Sequence, residues 1–568
     1  MMLNSKRIIL IVATLLVAFR GFYSNINGGE IKVTTYDALG YYIYLPAILK
    51  YNDSSALEWY DAVDEKYSVS GSAFYQAQQA ENGKYVFKYY GGVALMQLPF
   101  YLAADLYAKC SAYPDDGFSM PYQLAVVIAA LFYSILGLIL LRWLMLQYFD
   151  DWIVSLTIIM LILATNAPQY ISIDAGQSHV YIFLLYCLLL FLTQRWHQDP
   201  HANLALAIGA VCGLATACRP TELICIFIPL LWGLKGHDTL KSKCSFLLEH
   251  KKHIWFAVFG GFIMLLPQIV YWKISTGQFV YDVGSKWVFL NPFFRVLFGW
   301  EKGWFIYTPI TIFFIGSLFF IAKKQFRKSI WIFTFLNLWI ITAWYDWRYG
   351  GSYSTRALVQ SYPVFALAIG TALSKIYHGK WRHVIHILLS YLIIVNCLQL
   401  YQYNEGILHY DDMNKKYYHA IYLDPEPTSL TYSLLDTDDY IRRPKKLDSQ
   451  IFYQSTKLSN SEGQILNGIS LPKDGKVKYL KTNLNLTIKS GFWQSHLIAR
   501  IMSKDKIIKE QRFRLNIPNA QVDRDNDYSF YTEVPDECFD CKLELAVEGT
   551  ATVSLQMNQL SITQFTQP

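Results

Sequence analysis

Residues 120–146 read MPYQLAVVIAALFYSILGLILLRWLML. One charge, Arg142, sits near the far end, and the run exceeds the roughly 20 residues that a helix needs to cross the hydrocarbon core of a bilayer. Similar blocks recur along the chain, at 8–23, 153–170, 180–193, 204–217, 223–234, 254–274, 304–322, 330–345, 357–374 and 384–401. This predicts a polytopic α-helical membrane protein of about 11 transmembrane helices. Composition agrees. The 568 residues are 53% hydrophobic and 16% charged, whereas a soluble domain carries roughly 25% charge.

Block 8–23 follows Lys6 and Arg7, like the start of a signal peptide. No small-x-small cleavage site follows it, so it reads as the first anchor. Topology-setting cations fall in three loops: Lys235, Lys241, Lys243, Lys251 and Lys252; then Lys323, Lys324, Arg327 and Lys328; then Lys375, Lys380 and Arg382. All three lie on the side of the N-terminus, which the positive-inside rule makes cytoplasmic. The net charge of +7 is thus largely topological, and nucleic acid is not an expected partner. An odd span count then puts two soluble pieces outside: a first loop, 24–119, and a tail, 402–568. The domains read as 1–401 in the membrane and 402–568 beyond it.

The first loop contains YDALGYYIYLPAILK (36–50) and FKYYGGVALMQLPFYLAADLYA (87–108). Both are apolar with interspersed tyrosines, as helices lying at a membrane interface are. The tail changes character: KYLKTNLNLTIK (478–489), HLIARIMSKDKIIKEQRFRLNI (496–517) and CKLELAVEGTATVSLQMNQLSITQF (541–565) alternate apolar and polar residues. That period predicts a small all-β sandwich. Of nine cysteines, only Cys538 and Cys541 are spaced as a local pair. They read as a disulfide in an oxidising compartment or as half a zinc site in a reducing one.

Ionisable groups near hydrocarbon cost about 2.5–3.5 kcal/mol each on insertion scales, so their placement carries information. They gather at the outer ends of the blocks: Asp37; Asp174 and His179; Arg219 and Glu222; Arg295, Glu301 and Lys302; Asp346, Arg348 and Arg356. The cations in this set either pair with the neighbouring carboxylates or bind phosphate, for which the guanidinium fork is suited. Asp37 reads either as a helix N-cap or as a general base at the membrane surface. His179, at the mouth of a span, reads as a satisfied interfacial residue or as a ligand or catalytic base. Asp37, Asp174 and His179 have no spacing that demands a metal, so no metal and no cofactor are expected. Walker-A, G-x-G-x-x-G, HExxH and GxSxG patterns are missing, which argues against nucleotide-driven, zinc-peptidase and serine-hydrolase chemistry.

At these residues the chain resembles the GT-C class of membrane glycosyltransferases, in particular the bacterial branch related to protein O-mannosyltransferases and lipid A aminoarabinose transferases. The resemblance runs over spans one to ten: YDALGYYIYLP (36–46), KYYGGVALMQLPFYLAA (88–104), ACRPTE (217–222), NPFFRVLFGWEKGWFIYTP (291–309) and WYDWRYGGSYSTRALVQSYP (344–363). It implies transfer of a sugar, with inversion, from a polyprenyl-phosphate carrier to a periplasmic glycan, lipopolysaccharide or protein at the bacterial inner membrane. Asp37 would be the base, and Arg219, Lys302, Arg348 and Arg356 would meet the carrier phosphate. Apart from the resemblance, His179, Asp174, Arg295, Glu301 and Tyr353 are candidate substrate-binding residues. Many relatives have two adjacent acids at the first-loop position; here Ala38 and Leu39 follow Asp37. The alternative class is a flippase or transporter of lipid-linked glycans. That class favours helix breaks near the midplane, for which Pro267 and Gln268 are the main candidates.

Overall fold

A computed structural model describes residues 4–26, 28–71, 73–234, 240–441, 444, 447–456, 459–461, 464–472, 476–491, 493, 495–504, 506–538, 540–549 and 553–566. The chain forms two compact units, Met1–Leu400 and Tyr401–Pro568. Lys235, expected in a cytoplasmic loop, lies outside the described residues.

The first unit is helical. After α1 (Ser5–Ile26) the first loop folds into α2 (Asp37–Tyr42), α3 (Tyr44–Leu49), α4 (Tyr60–Tyr67), a hairpin of β1 (Ala77–Gln79) with β2 (Tyr85–Phe87), and α5 (Gly92–Lys109). The expected interfacial helix over 36–50 is thus split in two, and the hairpin and α4 are additions that no periodicity announced. There follow α6 (Met120–Met145), α7 (Asp151–Ile162), α8 (Ser178–Gln198), α9 (Ala202–Cys218), α10 (Phe227–Leu231), α11 (Leu240–Glu249) and α12 (Lys251–Thr276). The series continues with α13 (Arg295–Phe298), α14 (Trp304–Tyr307), α15 (Ile310–Ser317), α16 (Arg327–Ala343), α17 (Tyr362–Ile376) and α18 (Trp381–Asn404).

Among the described residues, six helices are long and apolar enough to cross a membrane: Ser5–Ser24, Met120–Met145, Ser178–Gln198, Lys251–Thr276, Arg356–Ile376 and Trp381–Asn404. The other expected spans are shorter or interrupted. Block 304–322 breaks at Pro309 into α14 and α15, because proline has no N–H to continue the ladder. Block 223–234 begins as a 3-10 turn, Pro220–Ile226. Block 153–170 runs through α7 and ends against a π-turn, Gln169–Ile173. Apolar side chains on α1 and α12, such as Leu10, Val17, Trp255 and Phe259, face outward, a surface that suits lipid rather than water. Inside, α9 crosses α12 at backbone contact: a Cβ at Gly209 or Gly213 would overlap the Ala257 or Gly261 backbone. Small residues let membrane helices approach so closely.

In the second unit, α19 (Lys415–Ala420) and α20 (Ser429–Ser433) precede β3 (Asp448–Ser455), β4 (Ser459–Ser461), β5 (Gln464–Ser470), β6 (Val477–Ser490), β7 (Ser495–Ser503), β8 (Lys506–Arg514), β9 (Asp525–Glu533), β10 (Cys541–Gly549) and β11 (Ser554–Thr566). They make two antiparallel sheets, one ordered β5-β10-β7-β8 and the other β3-β11-β6-β9 with β4 also on β11. Leu480, Leu484, Leu486 and Ile488 of β6 are buried, and Phe513 of β8 stacks on Phe530 of β9 at 4.1 Å between centroids. Strand alternation in the sequence therefore becomes one buried face per sheet. Cys538 and Cys541 are disulfide-bonded, which excludes the half zinc site.

Candidate active site

The chain leading into α2 is held in an unusual shape. Gln123 of α6 accepts from the backbone N–H groups of Val33 and Thr34 at 2.9 and 3.2 Å. Tyr36 then takes a positive φ of 53°, a conformation that a bulky side chain adopts only when its surroundings impose it. Buried Gln76 supplies part of that constraint by donating to the Tyr36 carbonyl at 3.0 Å. The turn delivers Asp37 to the first position of α2.

Asp37 makes no helix cap: α2 has no side-chain cap hydrogen bond, and its N-cap position is Tyr36. Instead Oδ1 accepts from the Tyr75 hydroxyl at 2.8 Å and from the Tyr89 hydroxyl, while Oδ2 pairs with the guanidinium of Arg356. The Asp37 and Arg356 side chains are 19% and 10% exposed. Burial by itself raises the Asp37 carboxyl, but the Arg356 charge and the two tyrosine hydroxyls outweigh it and bring the group below the ordinary carboxylate value. Gly40, one turn on, matters for the same contact, because a Cβ there would overlap the Tyr89 ring.

Arg356 arrives from the opposite end of the unit on another strained loop, with positive φ at Tyr349, Gly350 and Ser354. Lys302 pins this loop by donating to the carbonyls of Arg348, at 3.0 Å, and Gly350. The Tyr353 carbonyl is held by Asn166 and Tyr170, and its hydroxyl bonds Asn396 and Gln399. Thr355 donates to the carbonyls of Val296 and Lys302. Arg219 comes from a third place, the C-cap of α9. Its Nη1 is buried with no hydrogen-bond partner among the described residues. Burial raises the Tyr41 hydroxyl, while the charges of Arg219 and Arg356 pull it back; both cations and Asp37 thus act on one hydroxyl, which also accepts from Ser178 at 3.2 Å. His179 contacts Gln360 at 2.8 Å, and Gln360 donates to Glu222 at 3.1 Å; the other Glu222 oxygen is taken by Tyr186.

The structure therefore joins Asp37 to Arg356 and sets Arg219 within electrostatic reach of the same Tyr41 hydroxyl, with His179 and Glu222 linked to each other through Gln360. Of the rest of the expected set, Asp174 lies within electrostatic reach of Arg356, while Lys302, Tyr353, Arg295 and Arg348 are engaged elsewhere. The Lys302 amine and the Tyr353 hydroxyl face loop carbonyls and helix side chains. Arg295 stacks over Trp347 at 3.7 Å, and exposed Arg348 lies against the same ring at 5.3 Å. Asp174 accepts from Gln169 at 3.2 Å. Among the described residues, no group of three or more His, Cys, Asp or Glu side chains is arranged to hold a metal ion. Tyr75, Tyr89, Tyr41 and Gln360 were not singled out from sequence. Tyr89 sits in the quoted KYYGG segment, whereas nothing about Tyr75 distinguishes it among 42 tyrosines.

Fold and site define a helical membrane protein with a buried ion pair and a second arginine incompletely partnered among the described residues, and a second unit of β-sheets. No protein-family model matches the chain, and no curated protein matches it. Among solved structures it is similar to ArnT from Cupriavidus metallidurans in the apo state, with 13% identity, 59% of this chain and 58% of that chain covered, and a TM-score of 0.36. It is also similar to the arabinosyltransferase EmbB from Mycobacterium smegmatis, with 11% identity, 98% and 64% covered, and a TM-score of 0.34. The chain thus spans less than two thirds of either neighbour's length.

Proposed function

We propose that the chain is a GT-C type glycosyltransferase that moves a sugar from a polyprenyl-phosphate carrier to a glycan, lipid or protein acceptor outside the cytoplasmic membrane. The observation that carries this reading is the convergence of one carboxylate, Asp37, with two guanidinium groups, Arg356 and Arg219, from segments far apart in sequence. Asp37 takes the proton of the acceptor hydroxyl. The acceptor oxygen bonds to the anomeric carbon, the bond from that carbon to the phosphate oxygen breaks, and its electron pair leaves with polyprenyl phosphate. One displacement inverts the centre. Arg219 and Arg356 stabilise the leaving phosphate, where charge grows in the transition state. Lys302 fixes the loop that carries Arg356, and exposed Arg348 is a further candidate to meet the carrier headgroup.

All eleven apolar segments cross the membrane in this reading, with the N-terminus cytoplasmic and the β unit periplasmic. The Cys538–Cys541 disulfide supports that side, because such bonds persist in oxidising compartments. The test is transfer by purified protein in detergent. Asp37→Asn lowers the rate about 10³-fold, within the usual range for a general base. Full activity in that variant overturns the assignment.

A further inference from the structure

As it stands, the site presents an inconsistency for a base. Both oxygens of Asp37 are occupied: Oδ1 by two tyrosine hydroxyls and Oδ2 by Arg356. Oδ2, the oxygen left for an acceptor hydroxyl, is held by the Arg356 cation, and a carboxylate so paired has little drive to take a proton. The neighbouring cation is in the opposite condition, since Arg219 holds a buried N–H nitrogen with no partner among the described residues, a costly state for a charged donor. Glu222, the nearest other acid in sequence, is turned to Tyr186 and Gln360. Among the described residues Arg219 Nη1 is thus an open donor, and an anion with several acceptor oxygens would satisfy it together with Arg356.

We propose that the donor phosphate and Asp37 compete for Arg356, so that binding of the carrier, bridging Arg219 and Arg356, releases Oδ2 and switches the base on. The proposal rests on the transferase reading above and adds its regulation. Tyr75 and Tyr89 are positioning residues in it. They keep Oδ1 fixed while Oδ2 is freed, so the carboxylate neither rotates away nor follows the arginine. The arrangement has a use: before the donor arrives, the carboxylate is neutralised and cannot act on a hydroxyl or on water, which couples chemistry to occupancy. Arg356 is suited to the exchange because its planar fork pairs equally with carboxylate and phosphate oxygens.

Competition makes a prediction that a structural ion pair does not. Polyprenyl phosphate itself is the probe, titrated into the purified full chain in detergent with binding read by native mass spectrometry. Asp37→Asn frees Arg356 and binds about tenfold tighter than wild type, whereas Arg356→Gln binds about tenfold weaker, each equivalent to about 1.4 kcal/mol. The double variant matches Arg356→Gln alone, since nothing is left to compete for. Equal or weaker binding by Asp37→Asn at the wild-type melting temperature overturns the proposal. If that variant does not fold, wild-type protein labelled with 13C-aspartate decides by infrared difference spectroscopy: a carboxylate stretch that shifts on adding polyprenyl phosphate supports release, and an unchanged stretch overturns it. Tyr89→Phe separates positioning from binding. It lowers kcat several-fold and leaves the carrier Kd unchanged, and a matching loss of affinity removes Tyr89 from that role. Failure of the base assignment looks different. Asp37→Asn then keeps transferring sugar, whatever its affinity for the carrier.

Discussion

The arginines of the two units keep different company. In the β unit, Arg514 meets Asp436 through two nitrogens, at 2.7 and 3.0 Å, and lies 3.5 Å from Asp412. Arg500 is shared between Glu510 and Glu548, and Lys509 pairs with Asp439 at 2.7 Å. In the helical unit, among the described residues, Arg356 is ion-paired with Asp37 and Arg219 leaves a buried nitrogen without a hydrogen-bond partner. The first set is closed. Each cation is neutralised by its own fold, so those pairs contribute to stability and offer nothing to a ligand. The second set is open: Arg219 Nη1 is a buried donor that a ligand can complete.

The contrast can be broken in order of expected effect. The largest test crosses the two units: Asp37→Asn costs about 10³-fold in transfer, while Arg514→Ala leaves the rate per folded molecule within about twofold. If both variants lose transfer alike, the distinction between open and closed charges fails. Next, Arg514→Ala leaves Asp436 half-buried without its partner and destabilises the β unit by about 3 kcal/mol, measured by pulse proteolysis of that unit in urea on the full chain.

A third test uses pH. His409 lies in the β unit, where burial and then the nearby Arg514 charge lower its pKa from 6.5 to about 4. The folded state therefore holds His409 neutral while the unfolded chain takes up a proton below about pH 6.5. Stability of the unit falls as pH drops from about 6.5 to about 4 and levels off below, by up to about 3 kcal/mol. His409→Asn flattens that limb in the same proteolysis assay, and an unchanged slope assigns the pH dependence elsewhere. The smallest effect is expected at Gly40→Ala, where the new methyl displaces the Tyr89 ring from Asp37. The expected loss is about tenfold in kcat, about 1.4 kcal/mol of barrier, with the melting temperature lowered by only a few degrees.

Much of the fold was legible because hydropathy is a local property. Each expected apolar block falls on helical structure, and the alternating runs 478–489, 496–517 and 541–565 fall on β6, β7 with β8, and β10 with β11. What failed was continuity. Pro309 divides one block, and 223–234 opens in a 3-10 turn, because backbone hydrogen bonding, not composition, sets where a helix runs unbroken. At the site, Asp37, Arg219 and Arg356 were singled out from their position at the ends of apolar blocks, and they converge. Lys302 and Tyr353 were singled out by the same signal and instead hold the loop that carries Arg356. A charge at a span end marks the right face without telling which way the side chain turns.

The sequence by itself determined a chain of apolar helical blocks followed by a β-rich tail, and the list of ionisable groups at the block ends. Length, period and charge are read along one dimension, and the bilayer and the pleated sheet act on those quantities directly. Only the tertiary structure decided that Arg356 pairs with a carboxylate 319 positions away, and that Tyr75, 38 positions on, donates to the same group. Those partnerships depend on how Tyr36 and Tyr349 bend the backbone into positive φ, and the cost of that strain is met by contacts that come from elsewhere in the fold.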